Sequence, residues 1–291
     1  MTTAATPVRA RSFWGRARRC GPWLSVAPFL LIMLVGLILP TVALGFGAFG
    51  NGTSDVEAAL GGGYRQALWG SLKLSVVCAV LGAVCGLLLA RAVLAGGGLL
   101  RRLVLTASGV LANFGGVPLA FMFIATIGNA GIVTALIRDW TGFDLANSTF
   151  SLYQFGGLVL VYLYFLVPLM VIVIAPALDG VRAEWSEAAA NLGATPGQYW
   201  RLVAGPLLAP PVMAGALLLF CGSLSAFATA QAMVGGTVPL VTLQIANALS
   251  GNVSADHEGV GAALALEMIV LVSIVMAVYW TIERRTARWL R

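Results

Sequence analysis

Six long apolar runs limit what this chain of 291 residues can fold into. They occupy roughly residues 23–46, 69–93, 103–127, 152–175, 207–234 and 263–282. The hydrocarbon core of a bilayer is about 30 Å thick, and an α-helix needs about 20 apolar residues to cross it. Hydrophobic residues make up 59% of the chain, and the sequence lacks the ten-residue segments of alternating polarity that are typical of membrane β-barrels. The sequence therefore predicts an all-α membrane protein with six transmembrane helices.

The first apolar run follows Arg16, Arg18 and Arg19, an arrangement that a secretory signal peptide shares. The run is longer than the usual apolar region of a signal peptide, and no small-x-small cleavage site follows it. We expect it to remain in the protein as the first transmembrane helix.

The distribution of basic residues predicts the orientation, because cytoplasmic loops of membrane proteins are rich in Lys and Arg. The termini and the 2–3 and 4–5 connections carry 14 basic residues, against three on the other side. The three are Arg65, Lys73 and Arg138. Both termini are therefore predicted to be cytoplasmic. The net charge of +6 is explained by this bias, and no nucleic-acid partner is indicated.

Several classes of chemistry are not indicated by the sequence. Lys73 is the one lysine, and its context SLKLS is not a phosphate-binding loop. The single histidine, His257, stands beside two carboxylates in a predicted outer loop, where a solvated loop is more common than a metal site. We expect the four cysteines to be small packing residues: Cys20, Cys78, Cys85 and Cys221. We expect no metal, no cofactor and no catalytic site in this chain.

Charged residues inside the predicted spans are few. Glu267 lies near the outer end of the sixth span and Lys73 near the outer end of the second. Ion-driven carriers use buried carboxylates or broken helices near the middle of the membrane. The sequence offers little of either, so we expect the energy for any transport to come from elsewhere.

A polar segment at residues 179–206 interrupts the apolar pattern. Residues 181–192 favour a helix, and Gly193 suits the left-handed position that ends one. Thr195, Pro196 and Gln198 then form a capping box that starts a second helix, which is predicted to stop at Gly205–Pro206. The segment is predicted to be a helix–turn–helix under the cytoplasmic face of the membrane.

Two interpretations of this segment stay open from its residues alone. Its alanine face could lie in the groove of a soluble partner, with Glu184 and Glu187 pairing with basic groups there. It could also be an amphipathic loop on the lipid headgroups. Acidic residues facing an anionic leaflet argue mildly against the second interpretation.

The spacing of this segment resembles the EAA loop of permease subunits of bacterial type I ABC importers. Glu187-Ala188-Ala189 is followed by Gly193 six residues after the glutamate and by Pro206 nineteen after it. The sequence departs from the family at Gly205, where a Leu or similar residue is usual, and we expect the end of the second helix to be looser there. Residues 116–136 and 238–251 resemble the branch of these permeases that transports polyamines, iron(III), thiamine and aminoethylphosphonate.

The resemblance implies a function and a set of partners. The segment would be a coupling helix that inserts into a dimer of cytoplasmic ATPase subunits, which bind the ATP. The residues implied are Glu184, Glu187, Ala188, Ala189, Gly193, Ala194 and Pro206. The chain would pair with a second permease, identical or related, in the bacterial inner membrane, and a solute-binding protein would deliver the solute. A polyamine is the first expectation.

The resemblance also places the substrate pathway between the two permeases, lined mainly by spans 3, 4 and 5. Candidate lining residues are Asn113, Tyr162, Tyr164, Ser223, Ser225, Thr229, Gln231 and Glu267. The alternative for the small polar residues is hydrogen bonding between helices. Glu267 either attracts a cationic substrate or only packs near the membrane surface.

We expect four parts along the chain. Residues 1–22 form a basic tail, 23–66 the first span and an outer loop, 67–282 a permease core of five spans with the loop 179–206, and 283–291 a second basic tail. Two other functions remain as alternatives. A stand-alone secondary carrier or channel would work without an ATPase, and a structural or assembly partner would move no solute.

Overall fold

The computed structural model of the chain describes residues 21–50, 52–142, 151–250 and 258–287. The regular secondary structure in these ranges is entirely helical. The helices are α1 (Gly21–Ala48), α2 (Ser54–Ala59), α3 (Gly62–Gly96), α4 (Gly98–Leu111), α5 (Val117–Ile127), α6 (Ile132–Thr141), α7 (Phe155–Asp179), α8 (Ala183–Asn191), α9 (Pro196–Tyr199), α10 (Gly205–Ser225), α11 (Phe227–Val234), α12 (Val241–Leu249) and α13 (Glu258–Ala287). A π-helical turn, Trp200–Ala204, joins α9 to α10.

Six segments of the described residues are long and apolar enough to cross a membrane. They are Val26–Ala48, Gly62–Gly96, Val117–Thr141, Phe155–Asp179, Pro196–Ser225 and Gly259–Arg284. The prediction of an all-α membrane protein with six transmembrane helices is confirmed. The third and fifth segments differ from the predicted runs in ways that matter for the pathway.

The third span is not the continuous helix predicted at 103–127. Helix α4 ends at Leu111, where the Asn113 side-chain amide donates a hydrogen bond to the Gly109 carbonyl oxygen at 2.9 Å. Gly116 then adopts φ +78°, a left-handed conformation that other residues avoid, and Pro118 lies in the first turn of α5. The segment that can cross the membrane is therefore Val117–Thr141.

The fifth span is not continuous over 207–234 either. It begins earlier, at Pro196, and α10 ends at Ser225. Ala226 has φ −74° and ψ +79°, which is not helical, and α11 starts again at Phe227. The predicted runs 103–127 and 207–234 are therefore each interrupted, just before the crossing segment Val117–Thr141 and just after the crossing segment Pro196–Ser225; we call these two runs the interrupted spans.

The main core lies around α7, which packs against α3, α4 and α10. A Cβ atom at Gly86 of α3 would lie 2.5 Å from the Met170 Cβ of α7, and one at Gly215 of α10 would lie 2.6 Å from the Met170 Sδ. Gly82 lies one turn before Gly86 in a G-x-x-x-G pattern. Small residues let membrane helices approach closely, so this glycine contact sets the spacing of the three helices.

Side-chain contacts tie the connecting segments together at the two ends of the bundle. At one end, the Arg101 guanidinium of α4 lies 2.6 Å from the Asp179 carboxylate of α7. At the other, the Val241 N–H donates to the Ser71 Oγ at 2.9 Å. The 2–3 and 4–5 connections, which were predicted to share the basic side, therefore lie at the same end.

Candidate functional site

The helix–turn–helix predicted at 181–206 is present, and its first turn is closed by backbone hydrogen bonds. Helix α8 ends in a Schellman motif: the Gly193 N–H donates to the Ala190 carbonyl at 2.9 Å and the Ala194 N–H to the Ala189 carbonyl at 3.0 Å. Gly193 has φ +79°, as its predicted position requires. The turn is therefore fixed by local chemistry, and we call residues 183–205 the hairpin.

The capping box that was predicted to start the second helix is also present. The Gln198 N–H donates to the Thr195 Oγ1 at 3.3 Å, and the Thr195 N–H donates to the Gln198 Oε1 at 2.8 Å. Pro196 occupies the first turn, where its missing N–H costs nothing. Helix α8 thus has a defined end and α9 a defined start.

Helix α8 projects away from the rest of the chain. None of its residues is buried, and its contacts are mainly with α9. Glu184, Glu187 and Ala188 are exposed, and Ala189 is half-buried. Leu192, just after the helix, is 88% exposed. Within the described part of the chain this surface of small, apolar and acidic side chains is left uncovered.

The second helix does not stop at Gly205–Pro206 as predicted. The Gly205 N–H donates to the Trp200 carbonyl, which closes the π-helical turn, and Pro206 lies in the first turn of α10. A Cβ at residue 205 would lie 2.6 Å from the Trp200 oxygen. Glycine at this position therefore permits the tight π turn, and the helix runs on from α9 into the membrane rather than ending loosely.

The hairpin contacts the bundle through two aromatic residues. Tyr199 is 8% exposed. The Arg91 guanidinium carbon, near the end of α3, lies 4.0 Å from the centre of the Trp200 ring, within cation–π range. Sequence reasoning missed Arg91, because its partner is more than a hundred residues away and no local pattern marks it.

Two of the predicted pathway residues form hydrogen bonds to the backbone at the breaks in the interrupted spans. The Gly116 N–H donates to the Thr229 Oγ1 at 3.0 Å, and this hydroxyl donates back to the Gly116 carbonyl at 3.4 Å. The Tyr162 hydroxyl of α7 donates to the Ala226 carbonyl at 2.5 Å. Tyr162 and Thr229 are 1% and 2% exposed. Freed backbone groups in a membrane need such partners, so these hydroxyls satisfy the two breaks.

The remaining predicted pathway residues have different surroundings. Ser223 is buried and donates to the Phe220 carbonyl of its own helix. Tyr164 packs edge-on against Phe123. Asn113, Ser225 and Gln231 are exposed. The structure thus brings Tyr162 and Thr229 together at the breaks and leaves three polar side chains open on the surface of the chain.

Glu267 lies apart from the other pathway candidates. It lines an apolar pocket of about 200 Å³ between α2 and α13, with Val56, Leu60 and Leu266 among its neighbours. His257 and the N-terminal basic tail lie outside the described residues.

Comparison with known families identifies most of the chain. A family model described as "Binding-protein-dependent transport system inner membrane component" matches residues 82–288. That range contains the hairpin, both interrupted spans and five of the six candidate crossing segments in whole or in part.

Two kinds of curated relative are similar in sequence. The molybdenum transport system permease protein ModB of Mycobacterium tuberculosis is 32% identical over 164 residues, covering 55% of this chain and 57% of the relative. The chain thus aligns with little more than half the length of that protein. The probable sulfate transport system permease protein cysT of Nephroselmis olivacea is 28% identical over 258 residues, covering 86% of each chain.

Solved structures share the fold over nearly the whole length. A crystal structure of "a bacterial ABC transporter involved in the import of the acidic polysaccharide alginate" matches with a TM-score of 0.72 and 17% identity, covering 94% of this chain and 99% of the other. The same type of transporter in complex with its oligosaccharide-bound periplasmic protein matches with a TM-score of 0.71. From the matched range and the six crossing segments, the chain belongs to the family of binding-protein-dependent transport system inner membrane components, multi-pass proteins of the bacterial inner membrane.

Proposed function

We propose that this chain is the permease subunit of an ATP-driven importer, coupled through its hairpin to a separate ATPase subunit. The observation that carries the proposal is the uncovered surface of α8, which ends in a Schellman turn and has none of its residues buried. A short helix that is already formed outside the bundle can enter a partner's groove without first folding, so less conformational entropy is lost on binding.

The residues assigned to the coupling surface have different roles. Glu184 and Glu187 offer carboxylates to basic groups of the ATPase. Ala188 and Ala189 have small side chains, which let the backbone of the ATPase approach α8 closely. Gly193 and Ala194 close the turn, and Pro206 leads the hairpin into α10. ATP hydrolysis belongs to the partner, which acts as a dimer beneath two permeases.

A second permease and a solute-binding protein complete the proposed assembly. Helix α1 packs mainly on α13 and exposes large apolar side chains, a surface that suits lipid or a second permease. The binding-protein partner is supported by the family description and by the structural relative seen with its periplasmic protein. The proposed pathway runs between the two permeases along the interrupted spans, which Thr229 links through Gly116.

For the substrate we propose a tetrahedral oxyanion of the sulfate or molybdate type. The names of the molybdenum and sulfate permeases that this chain resembles support it, and they give no support to the polyamine first expected. Arg65, Gln66 and Trp69 line a groove of about 770 Å³ at the outer end of α3. Arg65 and Lys73 make this outer end of α3 positively charged, which favours an anion over a cation.

Lys73 extends the same face of α3 inward from this groove. Residues 65, 69 and 73 follow one another at four-residue spacing and are exposed. The Lys73 ammonium lies 5.1 Å from the centre of the Phe155 ring. Among the described residues neither Arg65 nor Lys73 forms an ion pair. Both cations are therefore available to attract an anion at the outer mouth.

Co-purification tests the coupling proposal. The tagged chain is extracted in mild detergent, and the accompanying subunits are identified by mass spectrometry. We expect a stoichiometric ATPase with the wild type and with Glu57→Arg, an exposed change on the outer side, but not with Glu187→Arg. A chain that stays alone after cross-linking, or an ATPase that Glu187→Arg leaves in place, would favour the stand-alone carrier instead.

A further inference from the structure

The contact between Arg91 and Trp200 joins the hairpin to a span from which it is distant in sequence. Arg91 lies in the last two turns of α3 and is exposed, and Trp200 is half-buried. Among the described residues Arg91 forms no ion pair, so the Trp200 ring is the group that holds its guanidinium in place.

Trp200 occupies a junction within the hairpin. Its ring packs edge-on against Tyr199, with 6.2 Å between the ring centres, and Tyr199 is buried. Its carbonyl accepts the Gly205 N–H that closes the π-helical turn. A displacement of Trp200 therefore moves the end of α9 and the start of α10 together.

The rest of the hairpin has few ties to the bundle. Helix α8 has no buried residue and contacts mainly α9, and the ion pair between Arg182 and Glu184, at 3.8 Å, joins two exposed side chains within one short segment. The buried residues of the hairpin, Tyr199 and Ala204, lie at its membrane end, so the Arg91 stack adds a link to α3 beside them.

We propose that Arg91 is a positioning residue for coupling: its stack on Trp200 holds the hairpin against the end of α3, so that movement of the hairpin reaches α3 as well as α10. This inference rests on the proposed function. It adds α3 to the helices that respond directly to the ATPase. Because α3 packs closely on α7 through Gly86 and Met170, the movement then reaches the central helix of the core.

The chemistry of the stack decides which substitutions retain it. Lysine keeps the cation but loses the flat guanidinium, and phenylalanine keeps an aromatic face. Trp200→Phe should therefore retain much of the effect, and Arg91→Lys only part of it. Arg91→Gln and Trp200→Leu should lose it. Arg102→Gln is the matched control, because Arg102 is an exposed arginine at the same end of the bundle.

The test uses the complete transporter, with its ATPase, in lipid vesicles. Binding protein loaded with molybdate or sulfate is added at the outer face, and the stimulation of ATP hydrolysis is measured. Arg91→Gln and Trp200→Leu should reduce the stimulation about threefold, the size expected for losing one exposed cation–π contact. In Arg91→Gln, which lies outside the hairpin, basal hydrolysis and the amount of bound ATPase should stay unchanged. Trp200→Phe and Arg102→Gln should remain near the wild type, and Arg91→Lys should lie between the wild type and Arg91→Gln.

Hydrogen exchange of the hairpin amides provides a second readout that does not depend on substrate. In purified Arg91→Gln, the amides of residues 197–205 should exchange faster than in Arg102→Gln. Wild-type stimulation together with wild-type exchange in Arg91→Gln would overturn the inference. If Glu187→Arg removes the ATPase while Arg91→Gln changes neither readout, this inference alone fails; if Glu187→Arg retains the ATPase and its stimulation, the proposed function fails.

Discussion

The Thr229 hydroxyl bonds both backbone polar groups of Gly116, 113 residues earlier in the chain, at the points where two membrane spans are interrupted. A break in a helix frees carbonyl and N–H groups, and an unsatisfied buried donor is costly. The Thr229 hydroxyl provides a partner for Gly116, and the Tyr162 hydroxyl provides one for the Ala226 carbonyl.

Thr229→Val tests this role, because valine keeps the shape of threonine and removes the hydroxyl. The Gly116 N–H would lose its partner, and we expect the protein to lose about 1 kcal/mol of stability. A thermal melt of the purified chain in detergent measures the change. Ser225→Ala is the control, since the Ser225 hydroxyl is exposed and bonds only the Gly222 carbonyl of its own helix. Equal melting temperatures for the two variants would show that the Thr229 bond does not stabilise the breaks.

Gly86→Ala should weaken the contact between α3 and α7. The added Cβ would lie 2.5 Å from the Met170 Cβ, so the helices must separate, and overpacking of this kind costs about 1–3 kcal/mol. Gly36→Ala in α1 is the matched change, because nothing lies within 4 Å of its added Cβ. We expect a lower melting temperature for the first variant only, and a melt in which Gly36→Ala is the less stable would contradict this packing.

Gly205→Ala should disturb the π-helical turn, because its Cβ would lie 2.6 Å from the Trp200 carbonyl oxygen. The turn must open, which changes the angle at which the hairpin meets α10. Gly197→Ala in α9 adds the same methyl group where nothing lies within 4 Å. Hydrogen exchange at residues 200–205 should be faster in Gly205→Ala and not in Gly197→Ala. Unchanged exchange at Gly205→Ala would mean that the turn accepts a side chain.

Lys73→Gln tests the anionic substrate. Removing one of two cations at the outer mouth should lower the uptake of labelled molybdate or sulfate severalfold at low salt, and less at high salt, because screening weakens such attraction. Uptake is measured in cells whose chromosomal copy is replaced by the variant, with labelled spermidine as a comparison solute. Arg138→Gln is the control cation on the outer side. Uptake of spermidine but of neither oxyanion would return the substrate to the polyamine class.

Local signals made the hairpin predictable from sequence. Thr195, Pro196 and Gln198 form their capping box within four residues, and Gly193 ends α8 by its own conformation. Such features depend on neighbouring residues alone. The apolar runs likewise predicted six crossing segments, because hydropathy and length decide whether a helix suits a bilayer.

The interruptions of the spans were harder to predict. The first had a signal, since Gly115 and Gly116 precede Pro118, but the apolar residues on both sides of it led to the prediction of one span over 103–127. The second had none: Ala226 is a good helix former, and its carbonyl is held by Tyr162 of another helix. The Arg91 stack on Trp200 depends in the same way on tertiary structure.

Uptake into lipid vesicles that contain the purified transporter distinguishes an ATP-driven importer from a secondary carrier. Labelled molybdate or sulfate, carried by the binding protein, is supplied at the outer face, with ATP or a non-hydrolysable analogue at the face of the ATPase. We expect uptake with ATP only, no effect of a proton ionophore, and loss of uptake in Glu187→Arg. Uptake without ATP that collapses with the ionophore would contradict it and identify a secondary carrier.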